Sequence, residues 1–273
     1  MTAHRRPTAL VTGASRGIGR GIAIALARAG YDVAITARTM REGDPTALSP
    51  ETGVMLPGSL ETTAAEIAAV GGRAVPLQLD LLELHTLADI VDQAVDQLGG
   101  HLDVLVNNAI YVGPGNDRLF ADCEPDNIIR RITGNITAQL LITHRALHHM
   151  LAAGSGTVVG VTSGAGQVTP HAPVGEGGWP LVYSVTKGGF HRIADMLVVE
   201  YASRGIRAFN VNPGFVATER VLAAGTQLAF VAKHAVTPEI VGAAIAHLVG
   251  DPSVINGSYL QAVDTARTLN LLS

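Results

Sequence analysis

The sequence has one cysteine, Cys123, and two lysines, Lys187 and Lys233, among its 273 residues. A single cysteine excludes an intrachain disulfide and is compatible with a reducing compartment. Charged residues make up only 15% of the chain, and the formal net charge is −4. This balance gives no field that attracts nucleic acid or anionic lipid, so neither is an expected partner.

Long apolar runs are also missing. No uninterrupted run reaches the roughly 18 residues of a membrane helix. The first residues lead into a strand without the apolar stretch of a signal peptide. We therefore expect a cytoplasmic protein without a membrane span. Because 47% of the residues are hydrophobic, the chain can bury a full core, and we expect one domain over residues 1–273.

Apolar strands alternate with helical stretches along the chain. The predicted strands are 8–12, 32–37, 74–79, 102–107, 156–161, 206–211 and 258–262. The predicted helices are 17–29, 60–70, 84–98, 126–151, 183–203 and 238–248. This alternation predicts an α/β fold with a doubly wound parallel sheet of about seven strands and helices on both faces. The ligand of such a fold lies beyond the carboxyl ends of the strands.

Three segments do not fit this alternation. Residues 39–59 and 164–180 are long connections rich in proline and glycine, where short ones are normal. The sequence leaves open whether segment 39–59 lies near the chemistry. Residues 218–237 place apolar side chains between polar ones, which is typical of a segment that covers a pocket, and we expect it to cover the substrate. Its apolar residues are Val221, Leu222, Leu228, Phe230 and Val231.

A glycine-rich turn, TGASRGIG at residues 12–19, stands between the first strand and the first helix. Glycines allow a tight turn and a close backbone approach to phosphate, and the helix N-terminus offers free N–H groups. A purely structural strand-to-helix turn is the alternative. The candidate cofactor-binding residues of this turn are Gly13, Ser15, Arg16, Gly17, Ile18 and Gly19.

The end of the second strand bears on which dinucleotide binds. It reads ITAR, with no carboxylate to accept hydrogen bonds from an adenosine ribose 2′-OH. Arg38 and Arg16 can instead form a guanidinium clamp around a 2′-phosphate. The sequence therefore predicts NADP(H) in preference to NAD(H). The alternative is that Arg38 is a solvated surface residue.

Tyr183 and Lys187 lie one helical turn apart in the stretch YSVTK. A phenol is a weak acid, with a reference pKa of about 10. An ammonium at i+4 lies on the same helix face and favours the phenolate, which lowers that pKa. Hydride transfer to a carbonyl requires such a proton donor.

Several sequence motifs, taken in their order along the chain, resemble those of the short-chain dehydrogenase/reductase family. Together they cover nearly the whole chain. TGASRGIG resembles the T-G-x-x-x-G-x-G turn of the family, and residues 183–187 resemble its Y-x-x-x-K. Residues 107–109 resemble its N-N-A-G, with Ile110 in place of the glycine. The resemblance implies a Rossmann fold. It also implies further cofactor contacts from Asp80, Leu81, Asn107, Ala109, Tyr183, Lys187, Pro213, Gly214, Val216 and Thr218.

The same resemblance implies four catalytic residues. Tyr183 would be the general acid in reduction and the general base in oxidation. Lys187 would lower the pKa of that tyrosine and hydrogen-bond the nicotinamide ribose. Ser163 would donate to the substrate oxygen, and Asn135 would hold a water that relays protons. A turn cap for Ser163 and a helix kink for Asn135 are the structural alternatives.

The predicted function is NADP(H)-dependent interconversion of a carbonyl and a secondary alcohol on a small or mid-sized, apolar substrate. A non-catalytic dinucleotide sensor is one alternative, although such proteins typically lose the tyrosine or the lysine. A dehydratase or epimerase of related fold is another, and it usually needs a longer chain.

The loop between Ser163 and Tyr183 is longer than is common in the family and is placed to shape substrate choice. It contains His171, Glu176 and Trp179.

The family resemblance implies that the two long helices pair across a two-fold axis, which gives a homodimer or homotetramer. The predicted helix 183–203 carries an apolar stripe that would suit such a contact, formed by Ala194, Leu197, Val198 and Tyr201.

His144 and His148 are four residues apart, but the stretch lacks the glutamate of a metalloprotease helix and an obvious third ligand. We expect no metal site.

Overall fold

The computed structural model describes residues 5–50, 52–115, 117–225 and 233–270. Its strands are β1 Thr8–Thr12, β2 Asp32–Ala37, β3 Arg73–Gln78, β4 Val104–Asn107, β5 Gly156–Val161, β6 Ile206–Asn212 and β7 Tyr259–Gln261. Within the described residues they form one parallel sheet in the order β3-β2-β1-β4-β5-β6-β7. The strand order reverses between β1 and β4, which is where a doubly wound sheet opens a ligand crevice.

Helices cover both faces of the sheet. They are α1 Gly17–Arg28, α2 Leu60–Ala69, α3 Leu87–Gln97, α4 Pro125–Ile132, α5 Ala138–Ala153, α6 Leu181–Tyr201, α7 Glu219–Ala223, α8 Pro238–Gly250 and α9 Ala262–Thr268. Helices α1, α2 and α8 pack on one face, and α3, α5 and α6 pack on the other. The predicted α/β fold is therefore confirmed. No helix in the described ranges is long and apolar enough to cross a membrane.

Two apolar layers hold the helices on the sheet. Ile22 of α1 and Ile245 of α8 are fully buried on one face, and Val91 of α3 and Ile142 of α5 are fully buried on the other. Burying such a side chain stabilises the fold by about 1.5–3 kcal/mol. Strands β1 and β5 are buried along their whole length, as expected for parallel strands covered on both sides.

The long helical stretch predicted over 126–151 is present, but it is not α-helical throughout. Helices α4 and α5 are separated by a π-type turn, Thr133–Thr137. Inside that turn the Asn135 Oδ1 accepts from the Tyr111 backbone N–H at 2.7 Å, and its Nδ2 donates to the Tyr111 carbonyl at 2.9 Å. A Cβ on Gly134 would lie 2.6 Å from the Cβ of Tyr111. The helix widens here because it packs closely on residue 111 and bonds to it.

The apolar stripe predicted on the helix after residue 183 is also placed differently. Ala194 and Leu197 are buried against the sheet, and Val198 and Tyr201 pack beside them. The sequence pattern therefore marked the core face of α6. Its exposed apolar residues lie on the opposite side of the helix and are Leu181, Val185, Met196 and Val199.

Candidate active site

A cavity of about 720 Å³ opens at the carboxyl ends of the strands. Its walls include Gly13 after β1, Arg38 after β2, Asn108 after β4, Ser163 after β5 and Pro213 after β6. One crevice thus collects segments that are as much as 200 residues apart in the sequence. This is the position that the fold class predicts for a ligand.

All but one of the predicted site residues line this cavity. They are Gly13, Ser15, Arg16, Gly17, Ile18, Gly19, Arg38, Asp80, Leu81, Ala109, Asn135, Ser163, Tyr183, Lys187, Pro213, Gly214, Val216 and Thr218. The exception is Asn107, which is 1% exposed and whose Nδ2 donates to the Thr143 Oγ1 at 2.7 Å. Its side chain points at α5 because successive side chains of a strand alternate between faces, and the neighbouring Asn108 lines the cavity instead.

Thr12 and Asn108 hold the two central loops together. The Thr12 Oγ1 accepts from the backbone N–H groups of Asn108 and Ala109, both at 3.0 Å. In return the Asn108 Nδ2 donates to the Thr12 carbonyl at 2.8 Å. Sequence reasoning named the motifs that contain these residues but did not assign them a role. They fix the loop after β4 against the glycine turn, and both loops form cavity wall.

The glycine turn leaves space beside the start of α1. Gly13 has φ +70°, and a Cβ there would lie 2.8 Å from the Ala109 Cα. Gly17, with φ +55°, begins α1, and the preceding Arg16 makes no side-chain cap to the free N–H groups. Unpaired N–H groups and the positive end of the helix dipole favour an anion. The turn therefore fits the phosphates of a dinucleotide.

The two arginines of the predicted clamp differ in their surroundings. The Arg16 Nε donates to the Pro57 carbonyl at 3.0 Å, and another of its guanidinium nitrogens donates to the Gly58 carbonyl at 2.7 Å. Burial lowers the pKa of Arg16, while the carboxylates of Glu219 and Glu42 oppose that shift. Arg38 is exposed at the cavity wall. The structure brings both guanidinium groups to the cavity, but Arg16 is already bound to segment 39–59.

Segment 39–59 lies against the glycine turn. Thr46, Leu48 and Leu56 line the same cavity as the turn. Gly58 has φ +102°, and a Cβ on it would lie 2.6 Å from the Ser15 carbonyl oxygen. The segment is thus a wall of the nucleotide end of the cavity. No local sequence pattern indicates this position, because the contacts join residues about 40 positions apart.

Tyr183 and Ser163 meet at the other end of the cavity. The Ser163 side chain lies close enough to the Tyr183 hydroxyl to influence its pKa, and the Ser163 Oγ also accepts from the Ala165 N–H at 3.2 Å. Ser163 therefore contacts the tyrosine and caps a turn at the same time. Burial raises the pKa of Tyr183 above 10, and the Ser163 hydrogen bond and the charge of Arg220 oppose this rise.

The Lys187 side chain bonds to the end of β5. Its Nζ donates to the Val161 carbonyl at 2.9 Å, and burial lowers its pKa to about 8. A desolvated ammonium requires an acceptor, and the end of β5 provides one. The cation that lowers the pKa of Tyr183 in this conformation is Arg220. The expected net fall in the tyrosine pKa is wrong here, since desolvation is the largest effect.

The Asn135 side chain is occupied by its two bonds to Tyr111. It therefore acts as a tether between the π-type turn and the loop after β4. This matches the structural alternative for Asn135, although the same turn also lies on the cavity wall. The water that Asn135 was expected to hold stays a prediction.

The substrate end of the cavity has walls that the sequence did not predict. They include Tyr111, Arg131, Phe215 and Arg220, and they stand beside Trp179 of the loop that was expected to shape substrate choice. The helical spacing of four between residues 131 and 135 was a signal that could have identified Arg131. Of the expected covering segment, Val221 lines the cavity. Residues 226–232, with Leu228, Phe230 and Val231, lie outside the described residues.

Comparison with known proteins identifies the family. Residues 7–52 and 55–228 match the family described as short chain dehydrogenase. The chain belongs to the short-chain dehydrogenase/reductase family. It is 32% identical to a 3-oxoacyl-[acyl-carrier-protein] reductase of Synechocystis over 93% of both chains. It is 33% identical to an L-rhamnose 1-dehydrogenase (NAD(P)+) of Sphingomonas, over 78% of this chain and 73% of the other.

A solved structure shows the same similarity. A 3-oxoacyl-[acyl-carrier protein] reductase of Brucella melitensis, crystallised in complex with NAD, aligns with a TM-score of 0.79 and 28% identity. The alignment covers 95% of this chain and 96% of the other. Short-chain dehydrogenases/reductases are oxidoreductases whose fold binds NAD(P). The predicted family and enzyme class are confirmed, and the sensor alternative loses its support.

Proposed function

We propose that this short-chain dehydrogenase/reductase interconverts a carbonyl and a secondary alcohol at the Tyr183 end of the cavity. The contact between the Ser163 and Tyr183 hydroxyl groups carries the proposal. Two hydroxyl groups converge there beside Lys187, on walls shared with the glycine turn. A bound nicotinamide supplies the hydride in such an enzyme. The protein supplies two donors to one oxygen, and donors fixed in place stabilise the charge that develops there.

The raised pKa suits Tyr183 to donate a proton. Burial raises the pKa of Tyr183 and so favours its neutral, proton-bearing form, and an alkoxide is a far stronger base than a phenolate. Tyr183 can therefore act as the acid in reduction. Ser163 is within reach of the same oxygen and would orient it. The tether from Asn135 to Tyr111 would fix the opposite wall.

The test is a panel of ketones, keto-acyl thioesters, quinones and steroids, with NADPH oxidation followed by absorbance. Tyr183→Phe should abolish turnover of any substrate found and leave NADPH binding unchanged, since the ring stays and only the hydroxyl is lost. Ser163→Ala should lower kcat about 100-fold, the usual effect of removing one such donor. Undiminished activity in Tyr183→Phe would refute the assignment.

We also propose a preference for NADP(H) over NAD(H), carried by Arg38. Its exposed guanidinium stands at the cavity wall after β2. No described carboxylate forms an ion pair with it. Arg16 adds positive charge but is held by the Pro57 and Gly58 carbonyls. The Brucella relative was crystallised with NAD. The proposed preference for NADP(H) therefore rests on Arg38 of this chain and not on that similarity.

Equilibrium binding of NADPH and NADH tests that preference. Arg38→Ala should weaken NADPH binding roughly 10- to 100-fold, because a charge-assisted contact is worth about 1.5–3 kcal/mol, and should leave NADH binding unchanged. Arg41→Ala is the matched control, since Arg41 is exposed on the same segment but does not line the cavity. Equal affinity for both cofactors in the wild type would reject the clamp.

We propose further that the chain is a single domain in which segment 218–237 covers the substrate. Thr218 caps α7 through the Val221 N–H at 3.3 Å, and Val221 lines the cavity. Past the covering residues the chain returns to the site, where Val236 pairs with Val216. Saturating NADPH and substrate should slow proteolytic cleavage within 218–237. Unchanged cleavage would count against a covering role.

The last proposal is a homo-oligomer built on α5 and α6. Leu140 on α5 and Val185 on α6 are 48% and 56% exposed, and Val199 is 77% exposed. Exposed apolar residues aligned on long helices are typical of subunit contacts. Sedimentation should show a dimer or tetramer at micromolar concentration, and Val199→Asp should shift it toward monomer. A wild-type monomer would contradict this.

A further inference from the structure

Arg131 is a buried cation without an acidic partner. It is 2% exposed, its Nε donates to the Val112 carbonyl at 2.9 Å, and another guanidinium nitrogen donates to the Pro114 carbonyl at 2.5 Å. Among the described residues, no carboxylate lies within ion-pair distance of it. A buried charge is costly unless an opposite charge or a full set of hydrogen bonds compensates it.

The two carbonyl contacts do not explain the charge. A guanidinium has five N–H groups, and holding a loop through two carbonyls requires only neutral donors. The other donors of Arg131 stand where two cavities adjoin. Arg131 lines both the large cavity and a smaller one of about 290 Å³, whose walls also include Arg118, Asn127 and the exposed Glu124, which makes no ion pair with Arg131. Such donors and positive charge fit an anionic group.

The acidic side chains of the large cavity lie at its other end. Asp80 follows β3, and the Glu219 Oε1 lies 3.5 Å from the Arg20 guanidinium beside the glycine turn. By contrast, Arg131 lies one turn before Asn135, and both residues line the cavity together with Tyr183. The positive charge of Arg220 reaches the Tyr183 hydroxyl as well. The end of the cavity assigned to substrate is thus positive.

We propose that Arg131 binds a carboxylate of the substrate, so that the substrate class is an oxo acid and its hydroxy acid. This rests on the carbonyl chemistry proposed above and narrows it. The apolar walls of the cavity would contact the carbon chain of the substrate. Arg131 would bind the carboxylate at one end of that chain while the oxo group reaches Tyr183. A planar guanidinium pairs with a carboxylate through two parallel bonds, which also orients the chain.

Kinetics with matched acid and ester pairs tests the proposal. The probes are 4-oxopentanoate, 5-oxohexanoate and 6-oxoheptanoate with their methyl esters, which are neutral and nearly the same shape. The wild type should reduce the best acid at least 10-fold more efficiently than its ester. Arg131→Gln should raise KM for the acid roughly 10- to 100-fold and leave the ester unchanged. Arg130→Gln, an exposed neighbour on α4, should change neither.

Equal loss for acid and ester in Arg131→Gln would show that the residue only holds the loop, and would overturn the proposal. So would a wild type that prefers esters. A binding measurement tests the anion site at Arg131 independently of the proposed redox reaction. Hexanoate has no ketone to reduce, yet it should raise the melting temperature of the NADPH-saturated wild type and not that of Arg131→Gln. If that shift is seen without turnover of any oxo acid, Arg131 is an anion site and the proposed reaction fails. If no shift is seen, the anion site fails.

Discussion

Replacing Lys187 by Met should stabilise the fold at neutral pH while it abolishes turnover. Folding places the Lys187 ammonium among protein atoms, with the Val161 carbonyl at 2.9 Å as its acceptor. Burial lowers its pKa from 10.5 to about 8. The folded state therefore disfavours the charged form. A methionine of similar length carries no charge to desolvate.

The magnitude follows from the two pKa values. Each pH unit between them corresponds to about 1.4 kcal/mol, so the charged Lys187 costs at most about 3 kcal/mol below pH 8. Lys187→Met removes this cost, but it also loses the bond to Val161, and part of the side chain reaches the cavity, where it is less desolvated. We therefore expect the variant to be more stable than the wild type by about 1–2 kcal/mol. Between about pH 8 and 10.5 the unfolded chain holds a proton that the folded chain has released. Wild-type stability should therefore rise with pH in that window, relative to the variant.

Urea unfolding at about pH 7 and about pH 9.5 checks both the sign and the window. The advantage of Lys187→Met should shrink by about 1–2 kcal/mol at the higher pH. Lys233 is the other lysine and is exposed, so Lys233→Met should be neutral at both values. The reasoning fails if Lys187→Met is less stable than the wild type at pH 7. It also fails if the difference does not depend on pH.

Three further predictions concern the loops and the tyrosine. Thr12→Val leaves two part-buried backbone N–H groups without their acceptor and should cost about 1–3 kcal/mol of unfolding free energy; Thr12→Ser should retain most of the stability. Because burial raises the pKa of Tyr183, alcohol oxidation should keep accelerating as the pH rises above neutrality, and a plateau near neutrality would contradict this. Gly58→Ala and Gly53→Ala both place a side chain at positive φ, but only Gly58 faces the Ser15 carbonyl. Only Gly58→Ala should therefore weaken NADPH binding in titrations, and equal affinities would refute the contact.

The sheet could be predicted from the sequence where its strands are continuously buried. Strands β1, β2 and β5 have the predicted bounds, because each is an apolar run that ends at a change of composition. Strand β7 is only partly buried, and its predicted bounds were too wide. The order of the site motifs along the chain was sufficient to bring them to one edge, since parallel strands share a carboxyl end.

Features that depend on one distant partner could not be predicted. The break between α4 and α5 depends on Tyr111, 24 positions before Asn135. Helical periodicity identifies an apolar face but not what covers it, so the core face of α6 was assigned to a subunit contact. A spacing of four places Tyr183 and Lys187 on one helix face, yet a buried ammonium bonds to the nearest acceptor. None of these partners leaves a signal in the local sequence.

Arg16 shows why a charged residue in a motif does not by itself indicate a ligand. The sequence offers Arg16 and Arg38 equally as phosphate ligands. In the fold, segment 39–59 brings the carbonyls of Pro57 and Gly58 to Arg16, and carbonyls without a strand partner require donors. Arg16 thus positions the wall of the cofactor cavity, and its charge contributes only at longer range. The distinction between NADP(H) and NAD(H) should therefore depend on Arg38, whose guanidinium makes no hydrogen bond to any residue that the structure describes.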